Sequence, residues 1–228
     1  MYNYKNRNIN RMKIIKRRRI LVLVFIIMLL VSLILGNLYA ISRKSKVIYL
    51  KNIGMGTYKI DKLKDIQEEY EKNLNIKIID YNWESTFDSG NKPKYLVYHH
   101  TASSEATPKD INKNHVEKGW DGIGYHFYIR KDGTIYRGRP EETIGAHVYQ
   151  RNRDTLGICL EGDFEKEEPS NEQIDSLVKL SADMIMKYNI EDLMGHKDLY
   201  NTLCPGKGFD LEYVKLKVAD EVIKNIKK

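Results

Sequence analysis

At 228 residues the chain has room for one ordinary domain plus appendages. Its net charge of +7 is local: residues 1–19 carry eight positive charges and no acid, residues 20–41 carry none, and residues 42–228 sum to −1. That distribution leaves no basic face for a nucleic-acid-binding domain, and two cysteines, Cys159 and Cys204, are too few for a disulfide-dense secreted scaffold.

Residues 20–41 are apolar apart from Ser32, Gly36 and Asn37. A helix needs about 20 such residues to span a bilayer, whereas the apolar part of a signal peptide usually runs about 7–15. The segment therefore predicts an uncleaved transmembrane signal-anchor. The basic residues 1–19 precede it and only Arg43, Lys44 and Lys46 follow closely, which places the N-terminus in the cytoplasm and the rest of the chain outside the cell membrane. Residues 42–75 read as an extracytoplasmic stalk with room for one short helix, since 61–73 mix charges of both signs with weak helical spacing.

From residue 76 the pattern becomes that of a folded domain, expected over 76–228. Residues 76–80 and 95–99 read as strands, and Thr107-Pro108 as the start of a helix reaching about Lys118. Residues 124–138 form a hairpin around Asp132-Gly133, and 155–161 another buried strand. Ser170 caps a helix over 171–188, and a last helix spans 211–226. This order predicts an α/β fold: a mixed central β-sheet flanked by helices, preceded by the transmembrane helix.

Three side chains in this domain carry metal chemistry. His99 ends the strand Tyr-Leu-Val-Tyr-His, while His196 and Cys204 stand eight residues apart in a turn-rich segment. Three nitrogen or sulfur donors with a fourth position open is the pattern of a catalytic zinc site. Strand alternation sends His99 one way and its neighbour His100 the other, and spacing does not choose between them. A Cys159–Cys204 disulfide is the competing use of the cysteine, although Cys159 sits in an apolar run where a free thiol behaves as a small hydrophobe.

Six blocks then occur in a telling order: Tyr-His-His-Thr-Ala, Gly-Ile-Gly-Tyr-His-Phe, Lys-Asp-Gly-Thr-Ile-Tyr-Arg-Gly-Arg, Gly-Ala-His, Leu-Gly-Ile-Cys-Leu-Glu-Gly and Gly-His-Lys-Asp…Cys-Pro-Gly. Together they resemble the type 2 N-acetylmuramoyl-L-alanine amidases, which include phage lysozymes and the peptidoglycan recognition proteins. The resemblance covers about residues 76–228. It implies a Zn2+ ion held by His99, His196 and Cys204, peptidoglycan as substrate, and hydrolysis of the amide between the lactyl group of N-acetylmuramic acid and L-alanine. Tyr125 matches the family's catalytic tyrosine. Thr202 takes a position that is lysine in phage enzymes and commonly threonine in recognition proteins. His147 matches a residue of the substrate groove, and His100 and Trp120 are the further candidates for substrate contact.

Two departures bear on mechanism. Thr202 cannot bring a lysine's charge, and Cys159 stands where a cytoplasmic branch of the superfamily uses glutamate. A proton-transfer role would then fall on Tyr125 or an ordered water, with Glu161 a weaker candidate. Relatives that only bind peptidoglycan typically lack the cysteine ligand, so Cys204 favours an enzyme. The reading from another class is a non-catalytic peptidoglycan-binding module on a membrane stalk.

Overall fold

The computed structural model describes residues 16–39, 60–81, 83, 87–188 and 190–226. The chain divides into two units, residues 1–45 and 46–228. In the first, α1 (Lys16–Tyr39) is a 24-residue helix, long and apolar enough to cross a membrane. Its side chains are exposed throughout. Residues 40 and 41 of the expected span, the tail before residue 16 and the stalk over 42–59 lie outside the described residues.

The second unit runs α2 (Ile60–Lys72), β1 (Tyr95–His100), α3 (Pro108–Glu117), β2 (Phe127–Ile129), β3 (Ile135–Arg137), β4 (Thr155–Leu160), α4 (Asn171–Tyr188), β5 (Asp192–Gly195) and α5 (Leu211–Ile226). The strands form one mixed sheet in the order β3-β2-β4-β1-β5. β2, β4, β1 and β5 pair in parallel, and β3 closes one edge antiparallel to β2. Parallel strands covered on both faces read as continuous apolar runs, which is why Thr155–Leu160 is buried at every position.

Alternation along β1 gives the sheet two different faces. Leu96 and Tyr98 join Leu177, Leu180, Val214 and Val218 in the core beneath α4 and α5. On the other face, Tyr128 and Cys159 pack with Ile111 and Ile123 near α3. Each large apolar side chain removed from water contributes about 1.5–3 kcal/mol, so the first, larger cluster supplies most of the stability.

Local signals set the element ends. Thr107 and Asp110 cap α3 reciprocally, side chain to backbone, while the Ser170 Oγ accepts from Gln173 N at 3.0 Å to start α4. Caps of this kind are each worth about 1 kcal/mol. At the hairpin, Gly133 adopts φ +79° and Asp132 Oδ1 accepts from Thr134 N at 2.9 Å.

Three segments differ from the sequence expectation. Residues 76–80 form no strand, because only Lys77 bridges to Tyr136 and Ile78 is 83% exposed. β5 was not foreseen. It has only four residues, too few for a period, yet it pairs with β1 from Tyr95↔Asp192 to Tyr98↔Gly195. Finally, the charged segment expected as solvated stalk through residue 75 contains α2, which packs on α4. Gln67 is buried there and its Nε2 donates to Asp183 Oδ1 at 2.8 Å, while the Tyr70 hydroxyl donates to Glu221 at 3.0 Å. The mixed charges of α2 are partly paired rather than free, Glu71 meeting both Lys187 and Arg137.

Asp183 is the costly member of this contact. Its Oδ2 is buried without a partner. Burial pushes its carboxyl up to about 7, against the Gln67 hydrogen bond, which lowers it, with Glu71 raising it and Lys187 lowering it. A folded-state pKa above the unfolded value of about 3.9 means that folding takes up a proton, so stability falls as pH rises from about 4 to about 7. Asp183→Asn should therefore raise stability at pH 8 by about 1–3 kcal/mol and flatten its decline over that window. Thermal melts of both proteins from pH 4 to 8 check this, and parallel curves would contradict it.

Candidate active site

The site lies at the carboxyl ends of β1 and β5, where ligands commonly bind in parallel sheets. His99 leaves β1 on the α3 face, and His196 opens a short 3-10 turn (His196–Asp198) directly after β5. The loop back to Cys204 is closed by Lys197 N donating to Cys204 O at 2.8 Å, and Asp198 Oδ2 accepts from Gly195 N at 2.8 Å to hold the turn. One donor atom from each of His99, His196 and Cys204 then falls within 4.8 Å of the others. Both cysteines are free, so the disulfide alternative does not form.

The donor set fits a zinc-like ion. Bonds of about 2.0–2.1 Å to nitrogen and about 2.3 Å to sulfur put tetrahedral donors roughly 3.6 Å apart, and His99 Nδ1 lies 3.7 Å from Cys204 Sγ. Burial holds both His99 and His196 below the ordinary imidazole range, so each is neutral with a lone pair to give. Burial also pushes the Cys204 thiol up to about 11, partly offset by a hydrogen bond from the His100 backbone N–H.

A hydrogen-bond relay fixes which nitrogen His99 offers. The Thr155 hydroxyl donates to Arg151 O at 2.6 Å, so towards His147 Nε2, 3.3 Å away, it can only accept. His147 Nε2 therefore carries the proton and Nδ1 is an acceptor. That acceptor lies 3.0 Å from His99 Nε2, which must be the protonated nitrogen, leaving the His99 Nδ1 lone pair facing Cys204. Such outer partners orient metal-binding imidazoles.

Within the triad the ring centres of His99 and His196 are 4.6 Å apart, and beside it stands Tyr125, whose ring centre is 5.1 Å from that of His99. Burial pushes the Tyr125 hydroxyl well above its ordinary range, reinforced by the nearby Cys159 and Cys204 sulfurs. It is a phenol that keeps its proton and acts as a donor.

Residues 89–207 match the family described as N-acetylmuramoyl-L-alanine amidase, more than half of the 228-residue chain. The chain belongs to this amidase family. An endolysin of Klebsiella phage KP32 is 34% identical over 125 residues, covering 51% of this chain and 82% of the phage protein. Peptidoglycan-recognition protein LB of Drosophila melanogaster is 37% identical over 125 residues, covering 49% of this chain and 54% of the fly protein. Among solved structures, the endolysin amidase LysCS of Clostridium intestinale URNW superposes with a TM-score of 0.62 at 46% identity, covering 63% of this chain and 95% of its own.

In this amidase-family chain the residues singled out from sequence do not all meet. Thr202 is half-buried beside Cys204, its Oγ1 accepting from Cys204 N at 3.2 Å, which leaves its proton free to donate. Trp120 is 41% exposed and lies against His115 at 4.6 Å between ring centres. His147 is buried beside His99 as its hydrogen-bond partner. His100 is on the opposite sheet face, its Nδ1 accepting from Phe164 N at 3.0 Å, so its ring is removed from the triad. Glu161 is likewise held elsewhere, by Arg130 Nε at 2.7 Å and Lys131 N at 3.0 Å. Arg139 is buried and donates to the Ile123 and Ile144 carbonyls.

Two residues went unnoticed in the sequence. His115 is buried and bridges Trp120 to Tyr125, with Nδ1 accepting from Gly124 N at 3.0 Å. Its signal was a position four residues after Ile111, on the buried side of α3. Gly157 lies inside β4, where a Cβ would come within 2.6 Å of the His147 ring. A glycine inside a strand marks such a close approach.

His147→Ala removes the acceptor that orients His99 and should weaken metal affinity by about 10–100-fold. His147→Gln, whose amide oxygen can accept the same proton, should retain most of it. Competition for zinc against a chromophoric chelator measures both, and equal affinities in all three proteins would show that the relay does not orient the ligand.

Proposed function

We propose that the chain is a zinc-dependent N-acetylmuramoyl-L-alanine amidase, anchored in the cell membrane by α1, with residues 76–228 as its catalytic domain outside the cell. The observation that carries this reading is the convergence of His99, His196 and Cys204 within 4.8 Å beside Tyr125. Family membership, the endolysin relatives and the basic residues Lys16, Arg17, Arg18 and Arg19 at the start of α1 support it.

Bound at the triad, zinc supplies Lewis-acid polarisation of the substrate carbonyl and a water acidified towards neutral pH. The remaining tasks fall to the chain's own groups. His99, His196 and Cys204 would hold the ion. Tyr125, protonated and partly buried, donates a hydrogen bond to the carbonyl oxygen as it gains negative charge. Thr202, two residues before Cys204, offers a second, neutral donor. With Glu161 locked to Arg130, no carboxylate among these candidates serves as a base.

Incubation of the purified protein with muropeptides should release free stem peptide, identified by product mass. Chelator should abolish release and added zinc restore it. Intact substrate in the presence of stoichiometric zinc would leave the binding-module reading in place. Cys204→Ser should lose zinc and activity while keeping its circular dichroism spectrum. Tyr125→Phe should keep zinc yet lose about 10²–10³-fold in kcat, the usual consequence of removing one oxyanion donor. Full turnover in Tyr125→Phe would take the tyrosine out of the reaction.

A further inference from the structure

Ring contacts run from the triad in two directions. Through Tyr125 and His115 they reach Trp120. Through His196 they reach Tyr200, stacked on the imidazole at 5.9 Å and 22°, and then Tyr149, edge-on to Tyr200 at 6.2 Å. The two tyrosines are 49% and 69% exposed, and the mechanism above uses neither.

Their placement is built rather than incidental. Tyr200 has one face braced by His196, and its backbone N donates to His196 O at 3.0 Å. Tyr149 sits in a turn where Gln150, not a glycine, adopts φ +62°. That strained residue is held by Asn152, whose Oδ1 accepts from both His147 N and Val148 N at 2.9 Å, and by Arg151 N donating to Val148 O at 3.1 Å. Backbone strain that the surroundings enforce is a pointer to function. The same turn carries His147, so the tyrosine is presented by the element that orients the metal ligand.

We propose that Tyr149 and Tyr200 form a platform for a pyranose ring of the glycan strand, a specificity element of the amidase reaction and resting on that reading. The bond assigned to the triad joins a sugar-bearing lactyl group to a peptide, so the site must take sugar in one direction and peptide in the other. Charge separates the two ends. At the Trp120 end, Lys118 Nζ lies 5.9 Å over the indole, which suits the carboxylates of a stem peptide. At the tyrosine end the nearby Arg151 is engaged by Asp154 at 3.0 Å, and the two rings themselves carry no charge. Neutral rings edged by hydroxyls match the C–H face and hydroxyl rim of a sugar.

The test uses the full chain in detergent, with two probes titrated separately by calorimetry: peptide-free glycan strands and free stem peptide. Tyr149→Ala/Tyr200→Ala should bind glycan about tenfold more weakly, as expected for two lost aromatic contacts, and bind stem peptide as the wild type does. Tyr149→Phe/Tyr200→Phe, which keeps both ring faces, should stay close to wild type on glycan. Unchanged glycan affinity in the alanine variant would overturn the platform. So would an equal loss on both probes, which would place the effect in the metal centre, or a wild type that binds no glycan. Wild-type hydrolysis is scored independently: if it fails while the glycan arm behaves as expected, the amidase reading falls, and with it the platform's part in a reaction, while the tyrosines keep their glycan contact.

Discussion

The arrangement depends on one proton assignment. Because the Thr155 hydroxyl is committed to Arg151 O, His147 must donate from Nε2 and accept at Nδ1, and His99 must therefore present Nδ1 to the site. Three residues from β1, β4 and the turn before β4 fix the lone pair of a single ligand. The relay needs burial to work. In water the imidazoles would exchange tautomers and protons freely, but burial keeps His99 and His147 below their ordinary range and hence neutral. It also needs space, which Gly157 provides by omitting a side chain where the His147 ring lies.

The sheet supplies the other constraint. β1 is flanked on both sides by parallel partners, so its end is held in register by β4 and β5 together. His99 pairs across from Cys159, and Tyr98 across from Gly195. The second pairing brings His196, the next residue of the chain, alongside His99. The short loop from His196 to Cys204 then needs only the Lys197–Cys204 backbone bond to return the thiol to the same point. Two of the candidate ligands thus stand at the ends of adjacent strands and the third comes from a closed turn. The site is rigid because the sheet beneath it is.

Much of this was legible in the sequence because the information was local. Caps at Thr107 and Ser170, the Asp132-Gly133 turn and the alternation that separates His99 from His100 are fixed by residues a few positions apart. β5 escaped because four residues carry no period and its identity comes from pairing with β1. The role of His147 escaped for a related reason: a motif match places it in the groove region but does not reveal the Thr155 hydroxyl behind it. Likewise, the charges of α2 looked solvated because Lys187 and Arg137, which meet Glu71, lie far along the chain. Residues paired by the fold cannot be recognised as pairs from composition.

The nature of the burial also bears on the choice between an enzyme and a binding module. Neutral imidazoles packed around a thiol are costly to assemble, since each polar atom must be stripped of water and satisfied internally. A surface that only recognises peptidoglycan could meet its ligand with exposed aromatics and hydrogen-bonding side chains, and would gain nothing from converging donors. Here His99 is 1% exposed, yet the nitrogen left without a proton faces a sulfur and a second imidazole. Tyr125 keeps its proton and its hydroxyl lies beside Cys159, near that same point. A protonated donor next to three electron-pair donors is a complementary arrangement: one set suits a cation, and the other suits the negative charge that develops on an oxygen held by it. Amide hydrolysis requires both at once, whereas binding alone requires neither.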